Sequence, residues 1–392
     1  MNSQQIIELE DHHQLKTYHK APIAVVEGDG LTVTDAEGKT YLDFYSGHAV
    51  TLTGHCHPHV VKAIQAQAER LIFYSNIVYN DARAAYSQLL AQAAPDGIEQ
   101  AFFCNSGAEA NETALKIARR YTGRPEVIAM ERGFHGRTVG ALSSTGMPHY
   151  REMFSPLLPG THFVPFGDLD AVEALLTDAS GDATAAVLLE PIQSIAGVRV
   201  ADAAYYQGLR ALCDVNDTVL IFDEVQTGFG RTGTLFAGEH WDVVPDIITS
   251  AKGIASGFPM GATLVTQTIA ETISYGEQGA TFGGGPLACA AAKATLETIL
   301  EDELVANAAQ MGEYIRAKLA PLPGIEEVRG LGLLLGLKTV PPAKDVREAL
   351  RDKGFLVGTS GDPHVLRLMP PLIVEEAHVD ALVEALEEVL TS

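Results

Sequence analysis

Between about residue 100 and residue 266, short apolar runs alternate with longer stretches in which alanine, leucine and charged residues recur at helical spacing. Short apolar runs bounded by turn residues are typical of buried strands, and the longer stretches are typical of helices that pack on a sheet. The pattern therefore predicts βαβ units and an α/β fold with a mainly parallel sheet. The seven candidate strands span residues 100–104, 126–130, 161–164, 185–189, 218–222, 246–250 and 261–265.

The two ends of the chain have a different pattern. Residues 23–34 contain two apolar runs around an Asp-Gly pair, which predicts a hairpin. In the C-terminal part, helical patterns at 286–319 and 374–390 flank short candidate strands near 331–337 and 355–358. These ends predict a smaller α+β domain beside the large domain that holds the seven-stranded sheet.

The predicted domain bounds follow these changes of pattern. The N-terminal segment is expected to join the small domain, and the large domain is expected to hold the functional site. The bounds are 1–50 for the N-terminal segment, 51–285 for the large domain and 286–392 for the C-terminal small domain.

Composition limits the class of partner. The chain has 392 residues, 27 Lys and Arg against 50 Asp and Glu, and a formal charge of −23. Nucleic acid is not an expected partner, because a phosphate backbone needs a positive surface. No apolar run approaches membrane-spanning length, and no basic and apolar leader opens the sequence. We expect a cytoplasmic enzyme without membrane contact, whose four separated cysteines are reduced thiols.

Two charged residues stand at the ends of candidate strands. Asp223 ends the apolar run 218–222, and Lys252 closely follows the run 246–250. Functional groups of α/β sheets gather where parallel strands end, and burying either charge alone would be unfavourable. A ligand with an electrophilic carbon and a protonated ring nitrogen gives each charge a partner. Pyridoxal phosphate is such a ligand.

A phosphate site is predicted where the strand 100–104 leads into a helix. The segment 105–110 reads Asn-Ser-Gly-Ala-Glu-Ala. Free backbone N–H groups and the positive end of the helix dipole can hold a phosphate there, with Ser106 adding a hydroxyl and Gly107 allowing close approach. The alternative is a capped helix start with no ligand.

The next loop, Gly-Phe-His-Gly-Arg-Thr at 133–138, combines an aromatic residue with an arginine. Phe134 can lie flat on a heteroaromatic ring, and Arg137 can clamp a carboxylate through two parallel hydrogen bonds. A surface arginine on a flexible loop is the alternative. Glu190, like Asp223, ends a candidate strand, although either acid can instead cap a helix or pair with an arginine.

Six motifs occur in order: Asn-Ser-Gly-Ala-Glu-Ala, Gly-Phe-His-Gly-Arg-Thr, Glu-Pro-Ile-Gln, Asp-Glu-Val-Gln, Ala-Lys-Gly and Thr-Phe-Gly-Gly. With them the chain resembles the class III aminotransferases, which have fold type I and use pyridoxal phosphate. Within that class it most resembles the acetylornithine aminotransferases, from Gly30 to nearly the C-terminus. The resemblance implies the fold type I architecture of a large parallel-sheet domain and a small domain.

The resemblance also implies a role for each matched residue. Lys252 becomes the Schiff-base lysine and Asp223 the partner of the pyridine nitrogen, and these two are the expected catalytic residues. Thr281 matches a threonine that reaches the phosphate of a neighbouring subunit, which implies a homodimer. The other implied cofactor contacts are Gln226 at the ring hydroxyl, Val225 and Phe134 on the ring faces, Ser106, Gly107 and Ala108 at the phosphate, and Glu190.

Two arginines define the expected substrates. Arg367 matches the arginine that holds the α-carboxylate of glutamate, and Arg137 takes the far carboxylate, or the α-carboxylate of an acylated ornithine. Gly47 stands, as we align it, where aminotransferases of free ornithine have a tyrosine, which favours an acylated α-amine. The expected reaction transfers the terminal amine of an N-acylated ornithine, N-acetylornithine first, to 2-oxoglutarate in arginine biosynthesis.

Two departures from the family pattern leave the substrate open. Ser194 and Ile195 replace a usual Gly-Glu pair, whose glutamate normally shields the arginine matched by Arg367. The departure admits a succinyl group in place of acetyl, or another acid as the shield. Gly285 replaces a usual asparagine, for which we have no functional account. Acyl-lysine, free ornithine and 4-aminobutyrate are further alternative donors.

Three readings from other classes compete with the transferase. Glutamate-1-semialdehyde aminomutases share the fold, the lysine and the aspartate, but need no second amino-acid substrate. A noncatalytic binding protein is disfavoured because Lys252 and Asp223 are both present. The cluster His55-Cys56-His57-Pro58-His59 carries metal-ligating side chains, but adjacent ligands seldom fit one tetrahedron, so we expect no metal site.

Overall fold

The computed structural model describes residues 1–177 and 183–391. Residue 392, the last of the predicted C-terminal domain, lies outside the described residues. The strands are β1 (Val25–Asp29), β2 (Thr32–Asp35), β3 (Thr40–Asp43), β4 (Ile98–Cys104), β5 (Glu126–Met130), β6 (Thr161–Val164), β7 (Thr184–Leu189), β8 (Val219–Asp223), β9 (Ile247–Ser250), β10 (Gly261–Thr266), β11 (Ile325–Leu331), β12 (Leu334–Thr339), β13 (Phe355–Leu356), β14 (Gly358–Thr359) and β15 (Val365–Leu368).

The helices surround these strands. None of the described helices is long and apolar enough to cross a membrane. They are α1 (Ser3–His13), α2 (Ser46–Ala49), α3 (Pro58–Arg70), α4 (Asp81–Ala93), α5 (Gly107–Thr122), α6 (Val139–Ser143), α7 (Pro148–Arg151), α8 (Leu169–Thr177), α9 (Ala203–Val215), α10 (Gln267–Ala270), α11 (Pro286–Glu301), α12 (Leu304–Leu319), α13 (Ala343–Asp352) and α14 (Glu376–Thr391), with short 3-10 turns that include Lys252–Ala255.

The central sheet confirms the prediction of a mainly parallel seven-stranded sheet. Its strand order is β4-β10-β9-β8-β7-β5-β6, and all seven predicted strands lie in it, with ends that differ by at most two residues. Strands β5 to β9 pair in parallel, and β10 is antiparallel to both of its neighbours. Parallel pairing brings the carboxyl ends of β7, β8 and β9 to the same edge of the sheet.

Helices cover both faces of this sheet, which explains its apolar strands. Every residue of β7 and β8 is buried. Side chains of α5 pack on one face with alternate strand residues such as Leu188 and Ile221, whereas α8 and α9 pack on the other face with Val187 and Leu220. A strand buried on both faces needs continuous rather than alternating hydrophobicity, which is the pattern of the sequence.

The two chain ends meet in a smaller sheet. The predicted hairpin forms from β1 and β2, with Gly30 in the left-handed conformation at its turn. Strand β3 then pairs in parallel with β13 from the C-terminal part, which confirms an α+β unit built from both ends. A second sheet has the order β11-β12-β15-β14. The domain bounds 1–50, 51–285 and 286–392 stay a prediction.

One helical prediction needs correction. The pattern at 286–319 is not one continuous helix, because α11 ends at Glu301 and α12 begins at Leu304. Glu303 between them has a φ of 53°, which is left-handed and cannot continue a right-handed helix. The apolar periodicity continues across residues 302–303, so the sequence pattern could not reveal the break between the two helices.

Candidate active site

A cavity of about 330 Å³ opens where β8 and β9 end. Asp223 is the last residue of β8 and pairs with Thr249 of β9, so Lys252 emerges beside it at the same sheet edge. The predicted site residues that line this cavity are Ser106, Gly107, Ala108, Phe134, Glu190, Asp223, Val225, Gln226 and Lys252.

The carboxylate of Asp223 is fixed by three donors. Asn111 Nδ2 and His135 Nδ1 lie 2.7 and 2.8 Å from Oδ2, and the backbone N–H of Val225 donates to Oδ1 over 3.1 Å. A carboxylate only accepts, so His135 carries its proton on Nδ1. Thr249 donates to Asn111 Oδ1 over 2.7 Å and fixes the amide in turn. Asp223 is therefore held rigidly at the floor of the cavity.

Lys252 stands at the start of a 3-10 turn with a φ of 45°. A left-handed φ is strained for a residue with a side chain, and such strain persists only where the surrounding structure enforces it. Burial lowers the pKa of the Lys252 amine to about 8, although Asp223 and Glu190 act in the opposite direction. An amine with this pKa is partly neutral near pH 7, which nucleophilic and proton-transfer chemistry requires.

The predicted phosphate loop lies at the N-terminus of α5. Ser106 caps this helix by accepting from the backbone N–H of Glu109 over 3.2 Å, so the capped helix start is present. The same loop also faces the cavity. A Cβ on Gly107 would lie 2.9 Å from the methyl groups of Val225, so only glycine fits between this helix and the cavity wall.

Glu190 and Phe134 are joined by a hydrogen bond. Glu190 Oε1 accepts from the backbone N–H of Phe134 over 2.9 Å. This bond connects the loop 133–138 to the end of β7. Burial raises the pKa of Glu190 to about 7. The ring of Phe134 meets Tyr150 edge to face at 5.4 Å between centroids and keeps contact with the cavity.

Arg137 and Arg367 do not line the cavity, but each contacts a side chain that lies beside a cavity-lining residue. Arg137 is exposed and lies over the ring of Tyr150, 4.1 Å from its centroid, and 5.8 Å from that of Phe134. Arg367 is buried and donates to Ser194 Oγ over 3.0 Å. Neither guanidinium forms an ion pair with an acid within the part of the chain that the structure describes.

The turn that contains Gly47 lies next to Arg367, but another residue faces the site. Gly47 is exposed, has a φ of 57°, and a Cβ there would meet nothing within 4 Å. Its neighbour His48 bonds the hydroxyl of Tyr45, which also accepts from Arg367 over 3.0 Å. Burial, and then the positive charges of Arg367 and Lys252, lower the pKa of His48 to about 3. This turn therefore presents a neutral imidazole.

Thr281 lies apart from the other predicted cofactor residues. It is exposed and does not line the cavity of its own chain.

The predicted absence of a metal site concerns residues 55–59, where His55 binds Asp43 and His59 binds Glu297. Among the described residues no group of His, Cys, Asp or Glu is arranged to hold a metal ion.

The sequence analysis gave no role in the site to four residues: Asn111, His135, Tyr45 and Ser194. Asn111 lies one helical turn after Gly107, so helical periodicity from the phosphate motif points to it. His135 lies inside the Gly-Phe-His-Gly-Arg-Thr motif, between the two residues that were assigned roles. Tyr45 and Ser194 reach Arg367 only through the tertiary fold.

Residues 14–390 match the model of the family described as aminotransferase class III. The chain is a class III aminotransferase. The acetylornithine aminotransferase of Methanocaldococcus jannaschii is 46% identical, with 100% of this chain and 99% of that protein covered. That of Methanopyrus kandleri is 48% identical, with 97% of both chains covered.

The solved structures agree with this family. A structure of the ornithine aminotransferase of Toxoplasma gondii has a TM-score of 0.92 and 31% identity, covering 99% of this chain and 94% of that chain. That structure has partial occupancy of PLP at its active site. Class III aminotransferases depend on pyridoxal phosphate, and this chain shares that dependence.

The cavity of this aminotransferase suits that cofactor. The fixed carboxylate of Asp223 would suit a ring nitrogen, and the partly neutral amine of Lys252 would suit an aldehyde carbon. Val225 and Phe134 are the apolar side chains available to the ring, and the helix start at Gly107 presents free N–H groups to a phosphate. The residues present thus suit the ring nitrogen, the aldehyde and the phosphate of pyridoxal phosphate.

Asn111→Ala is expected to destabilise the aminotransferase by roughly 1–3 kcal/mol. The substitution removes a donor from Asp223 and from the carbonyl of His135, and it leaves the buried hydroxyl of Thr249 without its acceptor. Urea unfolding of the cofactor-free protein measures the change. An unchanged unfolding midpoint would show that this buried network does not form.

The pKa of Lys252 predicts a pH-dependent stability of the cofactor-free aminotransferase. The unfolded amine keeps its proton up to about pH 10.5 and the folded amine up to about pH 8, so the unfolded state binds more protons between these values. Stability therefore rises with pH across this window. Below pH 8, Lys252→Met should be more stable than the wild-type protein. The difference between their free energies of unfolding should shrink by at most about 3 kcal/mol as the pH rises towards 10.5. Parallel unfolding curves at pH 7.5 and 10 measure it, and a constant gap contradicts the shift.

Proposed function

We propose that this aminotransferase transfers the terminal amine of an N-acylated ornithine, N-acetylornithine first, to 2-oxoglutarate. The observation that carries the proposal is the pair Arg137 and Arg367, two guanidinium groups beside the cavity that no described acid neutralises. Two cationic clamps suit a dicarboxylate such as 2-oxoglutarate. The choice of amine donor follows the names of the relatives, which are acetylornithine aminotransferases. A role in arginine biosynthesis in the cytoplasm is part of the same proposal.

The proposed catalytic pair is Lys252 and Asp223. Pyridoxal phosphate, when bound, takes up the electron pair that is released as a C–H bond of the substrate breaks. Lys252 holds the cofactor between turnovers and then carries the proton from the substrate carbon, which a partly neutral buried amine can do. Asp223 holds the ring nitrogen in place, because its own position is fixed by Asn111 and His135.

The acylated form of the donor is supported by what surrounds Gly47. His48 is neutral at pH 7 and therefore offers no charge to an α-ammonium group. Arg367 and Lys252 both add positive charge next to it. A free ornithine would bring a further cation into the region of Arg367, whereas an acylated α-amine is uncharged. The electrostatics thus favour the amide.

We also propose a homodimer in which Thr281 reaches the phosphate of the partner subunit. Thr281 and Phe282 are exposed, and Phe282 packs on Phe73 at 5.2 Å between centroids. Phe73 belongs to an exposed apolar segment at 71–79, in which Ile77 is 83% exposed. An apolar surface of this kind next to a loop with a predicted ligand role favours a second copy of the chain as its cover.

A half-reaction panel tests the donor. The cofactor-loaded enzyme is mixed, without 2-oxoglutarate, with N-acetylornithine, N-succinylornithine, free ornithine, acyl-lysine or 4-aminobutyrate, and the cofactor absorbance is followed. We expect the fastest conversion with N-acetylornithine. Fastest conversion by free ornithine or 4-aminobutyrate would exclude the acylornithine proposal, and turnover of glutamate-1-semialdehyde without an added oxo acid would support an aminomutase.

Ile195→Glu is expected to raise the ratio of the N-acetylornithine rate constant to the glutamate rate constant about tenfold. Arg367 has hydroxyl and carbonyl partners but no described acid, so a carboxylate at position 195 supplies the missing shield and competes with the glutamate carboxylate. Ile195→Gln is the matched control, since it adds length and polarity without charge. An unchanged ratio in Ile195→Glu would refute the argument that Arg367 lacks a shielding acid.

A further inference from the structure

Ser194 connects the arginine that is proposed to bind carboxylate with the cofactor cavity. Its side chain is fully buried. Its Oγ lies 3.0 Å from Arg367 Nη1 and 2.9 Å from Gln226 Oε1. Gln226 lines the cavity. A single hydroxyl therefore joins the substrate side of the site to the cofactor side.

The chemistry of the partners fixes the direction of each bond. A guanidinium group has only donors, so Ser194 must accept from Arg367. The one hydroxyl proton is then free for the carbonyl oxygen of Gln226. The Tyr45 hydroxyl binds the other terminal nitrogen, Nη2, in the same way. It accepts a hydrogen bond from Arg367 over 3.0 Å and donates one to His48 Nδ1. Two neutral hydroxyls thus hold the guanidinium.

These contacts leave the charge of Arg367 unneutralised. Its Nε donates to the carbonyl of Thr359 over 2.8 Å, and no described acid lies within ion-pair distance. Three of the five N–H groups are used, so N–H groups remain on both Nη atoms for a ligand. A hydroxyl acceptor orients the guanidinium without competing for an anion as a carboxylate would.

We propose that Ser194 is a positioning residue that sets the affinity of the enzyme for the α-carboxylate of 2-oxoglutarate and glutamate, through Arg367, and leaves the terminal-amine donor unaffected. The inference rests on the proposed function, in which Arg367 binds that carboxylate. It deepens that function because it assigns the preference for the oxo acid to a residue at which this chain departs from the family pattern.

Single-turnover half-reactions of the full chain test the proposal, with glutamate and N-acetylornithine added to the enzyme loaded with pyridoxal phosphate, and 2-oxoglutarate added to the enzyme loaded with the aminated cofactor, pyridoxamine phosphate. In Ser194→Ala, the half-saturating concentrations of 2-oxoglutarate and glutamate should rise about tenfold, as expected for the loss of one hydrogen bond to a charged group. The value for N-acetylornithine and the maximal rates should stay within about twofold. Ser194→Thr, which keeps the hydroxyl, should restore the wild-type values.

Ser143→Ala is the matched control, because Ser143 is a buried serine with two hydrogen bonds that lies outside the site. It should leave the half-saturating concentration of every substrate unchanged. If Ser194→Ala does not fold, Tyr45→Phe removes the other hydroxyl from Arg367, and the same selective rise is expected.

The outcomes separate the two proposals. An equal rise for glutamate and N-acetylornithine, or no rise for glutamate, overturns the role of Ser194 alone. If N-acetylornithine does not react with the wild-type enzyme but the selective effect on glutamate persists, the proposed donor is wrong and the role of Ser194 stands. If the wild-type enzyme reacts with neither glutamate nor 2-oxoglutarate, both proposals fail.

Discussion

Replacing Lys252 with alanine is expected to lower the turnover number by at least about 10⁴-fold. In the proposed mechanism Lys252 supplies both the covalent attachment of the cofactor and the proton transfer, and no other lysine lines the cavity within the described residues. Steady-state assays with N-acetylornithine and 2-oxoglutarate measure the loss. Reduction of the loaded wild-type enzyme with borohydride, followed by peptide mass analysis, should find the cofactor on Lys252.

Lys344→Ala is the control for this result, since Lys344 is exposed on α13 and far in sequence from the cavity residues. It should keep the wild-type turnover number. Retention of more than about one hundredth of the activity in Lys252→Ala would contradict the assigned role, because acid-base catalysis by a positioned group alone exceeds that factor.

Asp223→Asn is expected to lower the turnover number about 10³-fold, as for the loss of a preorganised electrostatic contact. Asparagine has no charge for the ring nitrogen, and its NH₂ group must face a donor on one side. Val225 N–H donates to Oδ1, whereas Asn111 and His135 both donate to Oδ2. The variant should therefore also lose roughly 1–3 kcal/mol of stability.

Asp246→Asn separates these two effects. Asp246 precedes β9 at the opposite end from Thr249 and accepts from the backbone of Leu220 and from Arg210, both over 2.8 Å. It is a structural carboxylate on the same sheet but at the edge away from the cavity, so its variant should lose stability but keep its turnover number. An Asp223→Asn enzyme whose turnover falls no further than that of Asp246→Asn would contradict a catalytic role for Asp223.

The cofactor side of the site was largely predictable from the sequence, for a physical reason. Asp223 and Lys252 follow buried strands, and parallel pairing of β8 and β9 brings strand ends that are distant in sequence to one edge. Apolar runs bounded by turn residues reveal such strands directly. The ordered motifs then identify the loops that follow β4, β5 and β7 as the remaining walls.

The support of Asp223 was not predictable in the same way. Asn111 and His135 reach it across 112 and 88 residues of sequence. Hydrogen bonds over such separations depend on how α5 and the loop after β5 pack on the sheet. Apolar periodicity places those elements on the sheet but does not say which polar side chain meets which carboxylate.

The substrate side depended even more on the tertiary fold. Arg367 meets Ser194 across 173 residues and Tyr45 across 322 residues. The sequence indicated that the usual shielding acid is missing at Ile195, but not that two hydroxyls bind the guanidinium group of Arg367. At the turn near Arg367, the sequence drew attention to Gly47, whereas His48 is the residue with its imidazole towards Tyr45.

Transfer of a ¹⁵N label from the terminal amine of N-acetylornithine into glutamate tests the central claim most directly. The purified enzyme is incubated with pyridoxal phosphate, the labelled donor and unlabelled 2-oxoglutarate, and the glutamate formed is analysed by mass spectrometry. The account predicts that each glutamate carries the label and that its amount equals the donor consumed. Glutamate without the label, or no glutamate from this donor while free ornithine yields it, would contradict the account.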